Sequence, residues 1–405
     1  MHTNKVKKVA IIGTQGVPAK YGGFETLVEN IIGGNCSDGI SYTVFCSSKD
    51  MPGKIKEYKG ARLKYVCLKA NGVQSIPYDI VSMMRAICGY DAILILGVSG
   101  CIFLPILKLF CRKKVIVNID GLEYRRAKWK NWVKKFLKLS EKVAVRFADV
   151  IITDNKGIQD YVKEEYGKET TLIAYGGDHA LIDITKEREE EILKQYDLVA
   201  GDYSISVCRI EPENNCHITL EAFKNSKEKL VFIGNWDRNG YSRKLKEEYK
   251  DKYSNIILLN SIYDLNILYT LRKNTKYYIH GHSAGGTNPS LVEAMFFGRP
   301  ILSYDVVYNR ETTKNKAHYF TDADGLQQLI AQEVDNGKEL KEVACEEYTW
   351  AKIAKQYEAL YWVSSPQSVN RQFPSTGVEL LSKNHSKQLR HSLARGGGRR
   401  PEGSS

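Results

Sequence analysis

Short, unbroken apolar runs, each followed by a segment with the three- and four-residue apolar spacing of a helix, recur along almost the whole chain. A strand covered on both faces has no polar side to alternate with, so this pattern predicts βαβ units and parallel sheets. Strands are expected over Val9–Gly13, Tyr42–Cys46, Leu63–Leu68, Ala92–Gly97, Lys114–Ile119, Val150–Thr153 and Thr171–Ala174. Helices are expected over Phe24–Ile32, Tyr78–Cys88 and a basic segment, 125–147. The charged stretch Lys186–Gln195 breaks the series, and a second one follows. Its strands are Tyr203–Ile210, Leu230–Gly234, Asn255–Leu259, Lys276–His280 and Pro300–Tyr304, and its helices Ile218–Lys224, Ser242–Tyr249 and Pro289–Phe296. The chain therefore reads as α/β, with two doubly wound halves over 1–185 and 186–347. A helix over 348–365 is expected to pack back on the first half. A basic tail, 366–405, is too poor in apolar residues to order itself. Ligands bind outside the carboxyl ends of such strands, so facing halves would share a central cleft.

The length of 405 residues suits two domains that bury their own cores. Nine cysteines without a C-x-x-C pair fit a reduced, intracellular protein with no zinc ribbon or redox motif. The first apolar run ends in a glycine-rich turn too soon for a signal-peptide core. Ala92–Phe110 approaches the length of a membrane span, but Gly97–Gly100 and Pro105 divide it as a buried strand, turn and helix would. The surplus of +12 is local. Residues 125–146 hold nine Lys/Arg against Glu141 alone, and the tail holds seven against two acids. In the first cluster Trp129, Trp132, Val133, Phe136, Val143 and Phe147 recur at helical steps and give one apolar helix face, with lysines such as Lys134, Lys135 and Lys138 opposite. Two readings fit: a core-packed helix with a solvated basic face, or an interfacial contact with anionic lipid. No finger, RNP-like motif or glycine-rich RNA clamp supports nucleic acid as the partner.

Four segments could carry chemistry. Gly13-Thr-Gln-Gly16-Val-Pro-Ala-Lys-Tyr-Gly22-Gly23-Phe24-Glu25 follows the first strand, where glycines let a ligand approach the backbone. Its G-x-x-G spacing counts against a nicotinamide site. In Gly285-Gly286-Thr287-Asn288-Pro289-Ser290, Asn288 suits an N-cap and Pro289 a first helical turn, leaving amides such as that of Ser290 for a phosphate. Glu293, one turn on, could accept a ribose diol or be a surface glutamate. Arg209 ends the first strand of the second half, where its fork suits a diphosphate or a rim salt bridge. Asp120 and Glu123, in Asn118-Ile119-Asp120-Gly121-Leu122-Glu123, are placed for sugar hydroxyls, although Asp-Gly is also an ordinary turn.

Together PAKYGGFET, NIDGLEYRRAKW, RIEPENN and HGHSAGGTNPSLVEAM resemble the GT-B glycosyltransferases of family four over about residues 7–363, within a bacterial subgroup that includes rhamnosyltransferases for surface polysaccharides. The resemblance implies a GT-B fold of two facing Rossmann-like domains, the first binding the acceptor and the second a nucleoside-diphosphate sugar. It makes Arg209 the diphosphate clamp and Glu293 the ribose ligand. Gly16, Gly22, Gly23, Asn214, Gly285, Gly286, Thr287, Asn288 and Ser290 would line the donor, and Glu25, Asp120 and Glu123 the acceptor or sugar. Asn214 stands where the family has a lysine, and Gly285 where it has a glutamate. The implied activity is retaining, metal-independent transfer of a hexose, rhamnose from dTDP-rhamnose, to a lipid-linked saccharide in capsule or related polysaccharide synthesis. No cofactor is implied. The implied location is cytoplasmic and peripheral on the inner face of the cell membrane, with helix 125–147 on anionic lipid. The alternatives are a nucleotide-sugar epimerase of the same architecture and a non-catalytic sugar-nucleotide-binding protein.

Overall fold

Every residue of Ala92–Leu96 is buried, because the strand it forms has neighbours on both sides and helices on both faces of its sheet. The computed structural model describes residues 6–19, 22–34, 39–119, 121–122, 124, 129–224 and 226–362. Asp120, Glu123, residues 125–128 of the basic segment and the 366–405 tail lie outside the described residues.

The first sheet comprises β1 (Lys7–Ile12), β2 (Ile40–Ser47), β3 (Glu57–Tyr58), β4 (Ala61–Val66), β5 (Ala92–Leu96), β6 (Lys114–Asn118), β7 (Val150–Thr153) and β8 (Thr171–Leu172). Their order is β3-β4-β2-β1-β5-β6-β7-β8, parallel throughout except for the β3–β4 pair. Val9 pairs with Tyr42 on one side and Ala92 on the other, so strand order reverses about β1.

The second sheet comprises β9 (Tyr203–Val207), β10 (Lys229–Ile233), β11 (Ile256–Leu259), β12 (Tyr278–His280), β13 (Ile301–Tyr304) and β14 (His318–Phe320). It is fully parallel, in the order β11-β10-β9-β12-β13-β14, and reverses between β9 and β12. Both sheets are doubly wound, and each has its switch point beside its first strand, where the crevice for a ligand opens. The molecule is therefore α/β with two doubly wound, parallel-sheet lobes, the architecture that the resemblance implies.

The Ala92–Phe110 stretch divides into β5, a 3-10 turn (Cys101–Phe103) and the helix Leu104–Phe110. Among the described residues no helix is long and apolar enough to cross a membrane. The charged stretch Lys186–Gln195 is a helix, capped by Thr185, whose hydroxyl accepts from the Arg188 amide. Only Ile192 of this helix is buried, so its sequence shows almost no apolar period.

The basic helix begins at Asn131 and runs to Phe147, and its core-facing row differs from the expected one. Val133, Leu137, Ser140, Glu141, Ala144 and Val145 are buried, whereas Trp132 is 60% exposed. Lys138 is not a free surface charge either. It pairs with Glu165 at 3.0 Å and lies over the rings of Tyr124, Tyr161 and Tyr166.

The helix Trp350–Trp362 crosses back to the first lobe. Its Tyr357 hydroxyl accepts from Asn118 Nδ2 at 2.8 Å, the Leu360 carbonyl accepts from Lys114, and Tyr361 packs edge-on against Tyr42.

Candidate active site

The glycine segments predicted from the sequence meet where the two lobes touch. A methyl group on Gly121 would lie 3.3 Å from the Cα of Gly285, and one on Gly23 would lie 3.6 Å from Pro289 Cγ. Gly286 has φ +44°, and a methyl there would sit 2.5 Å from Asp154 Oδ2. The loop after β12 thus lies backbone-to-backbone on the first lobe, a closeness that side chains at these positions would prevent.

One residue fastens the seam. Asp154, buried just after β7, accepts from the Thr287 amide at 3.1 Å, and the Thr287 hydroxyl donates to the Asp154 carbonyl. Asn288 caps the helix Pro289–Phe296 as expected, with its Oδ1 accepting from the Ser290 amide at 3.0 Å. The expectation of open amides at this helix mouth is thereby corrected. The amides of Leu291 and Val292 also bond the Asn288 carbonyl, so the cap and the first turn use donors that a phosphate was expected to take.

Arg209 lies just past β9, beside the strand whose loop carries Gly285–Asn288. Its side chain is half-buried, and among the described residues its guanidinium makes no hydrogen bond or ion pair. The expected rim salt bridge is absent among those residues, because Glu211 pairs with Arg238 at 3.4 Å instead. Asn214 is buried and points inward: its Nδ2 donates to the Arg209 carbonyl at 2.6 Å and its Oδ1 sits 2.5 Å from His282 Nδ1. It is a strut between the arginine and the β12 loop.

Glu293 is reached from three sides. Arg272 Nη2 donates to its Oε2 at 2.8 Å, and His179 Nε2 lies 3.4 Å from its Oε1. The Trp350 indole donates to His179 Nδ1 at 2.8 Å, which places the imidazole proton on Nε2, facing the glutamate. Burial pushes the Glu293 carboxyl up, but the Arg272 charge and the His179 contact outweigh it and hold the group below the usual carboxylate range. The side chain stays 16% exposed, so an ionised carboxylate with unused lone pairs faces the crevice.

In the first lobe, Glu25 is buried and tied to its own loop, accepting from the Thr14 hydroxyl at 3.0 Å and the Gln15 amide at 2.8 Å. Gly22 has φ +129°, and a methyl on it would strike Glu25 Oε2. Gly16, on the same loop, lies against Cys46.

The sequence reading missed Arg272, His179, Trp350 and Asp154. Arg272 sits on a helix it did not predict, Leu265–Lys273, whose local signs are Asp264 as N-cap, apolar Ile267, Leu268 and Leu271, and two basic residues in the last turn. His179 and Trp350 come from opposite ends of the second lobe's chain, and no short motif joins them. Among the described residues, no group of three or more His, Cys, Asp or Glu could hold a metal ion.

Residues 6–178 match the family described as Domain of unknown function (DUF1972), and residues 188–348 match Glycosyl transferases group 1. No curated protein matches the sequence. The fold is similar to that of sucrose-phosphate synthase from Thermosynechococcus elongatus, at TM-score 0.73 and 16% identity over 88% of this chain and 98% of that one. It is also similar to Anabaena HepE solved with UDP-glucose, at TM-score 0.68 and 14% identity over 88% of this chain and 100% of the other. A third likeness is to the catalytic domain of Arabidopsis thaliana starch synthase IV bound to ADP and acarbose. There the TM-score is 0.66 and the identity 13%, over 90% of this chain and 100% of the other.

Proposed function

We propose that this chain, a group 1 glycosyltransferase of GT-B fold by the match of its second lobe, transfers rhamnose from dTDP-rhamnose to a lipid-linked saccharide in bacterial surface polysaccharide synthesis. The observation that carries the transferase reading is a guanidinium, that of Arg209, without a hydrogen bond or ion pair among the described residues, just past β9 at the switch point of the second sheet, with an ionised glutamate, Glu293, on the helix that follows the neighbouring strand β12. Diphosphate and ribose are ligands of that chemistry. HepE was solved with UDP-glucose and starch synthase IV with ADP, which supports a nucleoside-diphosphate sugar as donor. Rhamnose rests on the likeness of PAKYGGFET, NIDGLEYRRAKW, RIEPENN and HGHSAGGTNPSLVEAM to the rhamnosyltransferase subgroup.

In this reading the bond from the sugar's anomeric carbon to the diphosphate oxygen breaks, and the acceptor oxygen bonds to that carbon from the same face. The acceptor proton passes to the leaving phosphate. Negative charge grows on the diphosphate as the bond breaks, so Arg209, held in place through Asn214, stabilises the transition state more than the ground state. Glu293 holds the ribose hydroxyls, and Arg272 and His179 keep it ionised and oriented. The reaction requires no metal in this reading, and turnover in EDTA equal to that in magnesium is the expected result. The acceptor enters from the first lobe, at an anionic cytoplasmic membrane face approached by the basic helix.

A thermal-shift panel of nucleoside diphosphates and their sugars tests the donor. A ligand at 100 times its dissociation constant stabilises the fold by about 2.7 kcal/mol. dTDP-rhamnose should give the largest rise, and a flat panel would overturn the proposal. Donor consumption without acceptor would identify an epimerase. Donor binding with neither transfer nor hydrolysis would identify a binding protein.

A further inference from the structure

The helix Asn131–Phe147 carries two apolar rows at the same spacing. Val133, Leu137, Ser140 and Ala144 face the core. Trp132, Phe136, Leu139 and Val143, one residue behind, form a second row about 100° around the helix. In this second row Trp132 is 60% and Leu139 51% exposed, and Phe136 and Val143 are half-buried.

The neighbouring helix Leu104–Phe110 carries exposed apolar side chains of its own. The two helices pack side by side: the Ile102 amide, just before the shorter one, donates to Ser140 at 3.0 Å, and Lys108 pairs with Asp149, just past the end of the longer one. On its outer face Ile106, Leu109 and Phe110 are 50%, 80% and 68% exposed. Exposed cations flank the apolar surface. Lys135, Lys142 and Arg146 run along the side of the second row, and Arg112 follows Phe110 by two residues. Among the described residues Arg112, Lys135 and Lys142 make no ion pair.

We propose that these two helices form an insertion surface that beds into the headgroup–acyl boundary of an anionic bilayer, with Leu109, Phe110, Trp132 and Leu139 entering it and Lys135, Lys142, Arg146 and Arg112 on the phosphates. The inference rests on the membrane-facing acceptor reading above and assigns it a different part: a two-helix apolar wedge, where the sequence suggested one basic helix. A cluster of apolar side chains rimmed by exposed cations is the composition of a helix lying in the interface. Insertion places the first lobe, which approaches the loop after β12 through Gly23 and Gly121, on the surface that carries a lipid-linked acceptor.

The test uses the full chain and vesicles of phosphatidylcholine with about one-third phosphatidylglycerol. Wild type should sediment with them, and high salt should weaken the binding without abolishing it, because the apolar part is not screened. Acyl chains brominated near the headgroup should quench Trp132, and the quenching should be lost in Trp132→Phe. Leu109→Ser/Phe110→Ser should weaken vesicle binding at least tenfold, and Lys135→Glu/Lys142→Glu should remove the salt-sensitive part. Both variants should keep the wild-type thermal shift with nucleotide, so a loss of binding is not a loss of fold or of the donor site. If Leu109→Ser/Phe110→Ser binds like wild type while the lysine variant does not, the wedge is refuted and simple attraction remains. If wild type never sediments with these vesicles, the wedge and the membrane reading both fail while the transferase reading stands. A dimer in solution that Leu109→Ser/Phe110→Ser splits, together with no vesicle binding, would assign the surface to a second copy and overturn the proposal.

Discussion

Arg272→Met should destabilise the protein most at neutral pH, and the ion pair with Glu293 sets the size of the effect. Arg272 is 6% exposed and its Nη2 sits 2.8 Å from Glu293 Oε2. Met keeps much of the aliphatic stem and removes the charge. Breaking a buried pair from one side costs about 3–5 kcal/mol. Glu293 has an escape, which is to take up a proton. Relative to an unfolded pKa of about 4.3, neutralising it costs about 3.7 kcal/mol at pH 7 and about 1 kcal/mol at pH 5. The penalty should therefore be about 3–4 kcal/mol at pH 7 and about 1–2 kcal/mol at pH 5.

The sign reverses between the two proteins. In the wild type the folded Glu293 pKa is depressed, so its contribution is present above the unfolded value and disappears as pH falls through the folded value. In the variant only the His179 contact still opposes burial, the folded pKa rises, and stability declines as pH climbs from about 4.3. Urea unfolding followed by circular dichroism at the two pH values measures the difference, and Arg272→Met/Glu293→Gln should recover most of the loss. A penalty below about 1 kcal/mol at both pH values, or an equal one at each, refutes the reasoning.

Three further outcomes are expected. Arg209→Ala should slow sugar transfer about a hundredfold or more, the roughly 3–4 kcal/mol value of one preorganised donor, and leave the melting temperature unchanged because that guanidinium has no protein partner among the described residues. Gly286→Ala should drive a methyl into Asp154 at a left-handed φ and part the seam; small-angle scattering should show a larger radius of gyration and turnover should fall about tenfold or more. Asp79, fully buried and accepting from the Gly100 amide, is raised to about 8 by burial. A raised carboxyl makes stability fall as pH rises from about 4 towards that value, so Asp79→Asn should gain stability relative to wild type from pH 5 to pH 7.5 by about 1 kcal/mol or more. Denaturant midpoints across that range check it.

The sequence by itself determined the order of elements and the segments at which the lobes meet. Apolar periodicity is local, and a run such as Ala92–Leu96 can be little else than a strand covered on both faces. Asn288 and Pro289 likewise mark a helix start within a few residues of chain. Periodicity could not say which of two equal rows on Asn131–Phe147 would face the core, since Val133–Leu137 and Trp132–Phe136 repeat at the same step. Only packing against Cys101–Phe103 and its neighbours chose the first and left the tryptophan row outside. Nor could it show that Glu293 would be held by Arg272, His179 and, through the imidazole, Trp350. These residues are joined by the winding of a whole sheet and by a helix that returns to the first lobe, and contacts made at such separations leave no mark on the spacing of nearby residues.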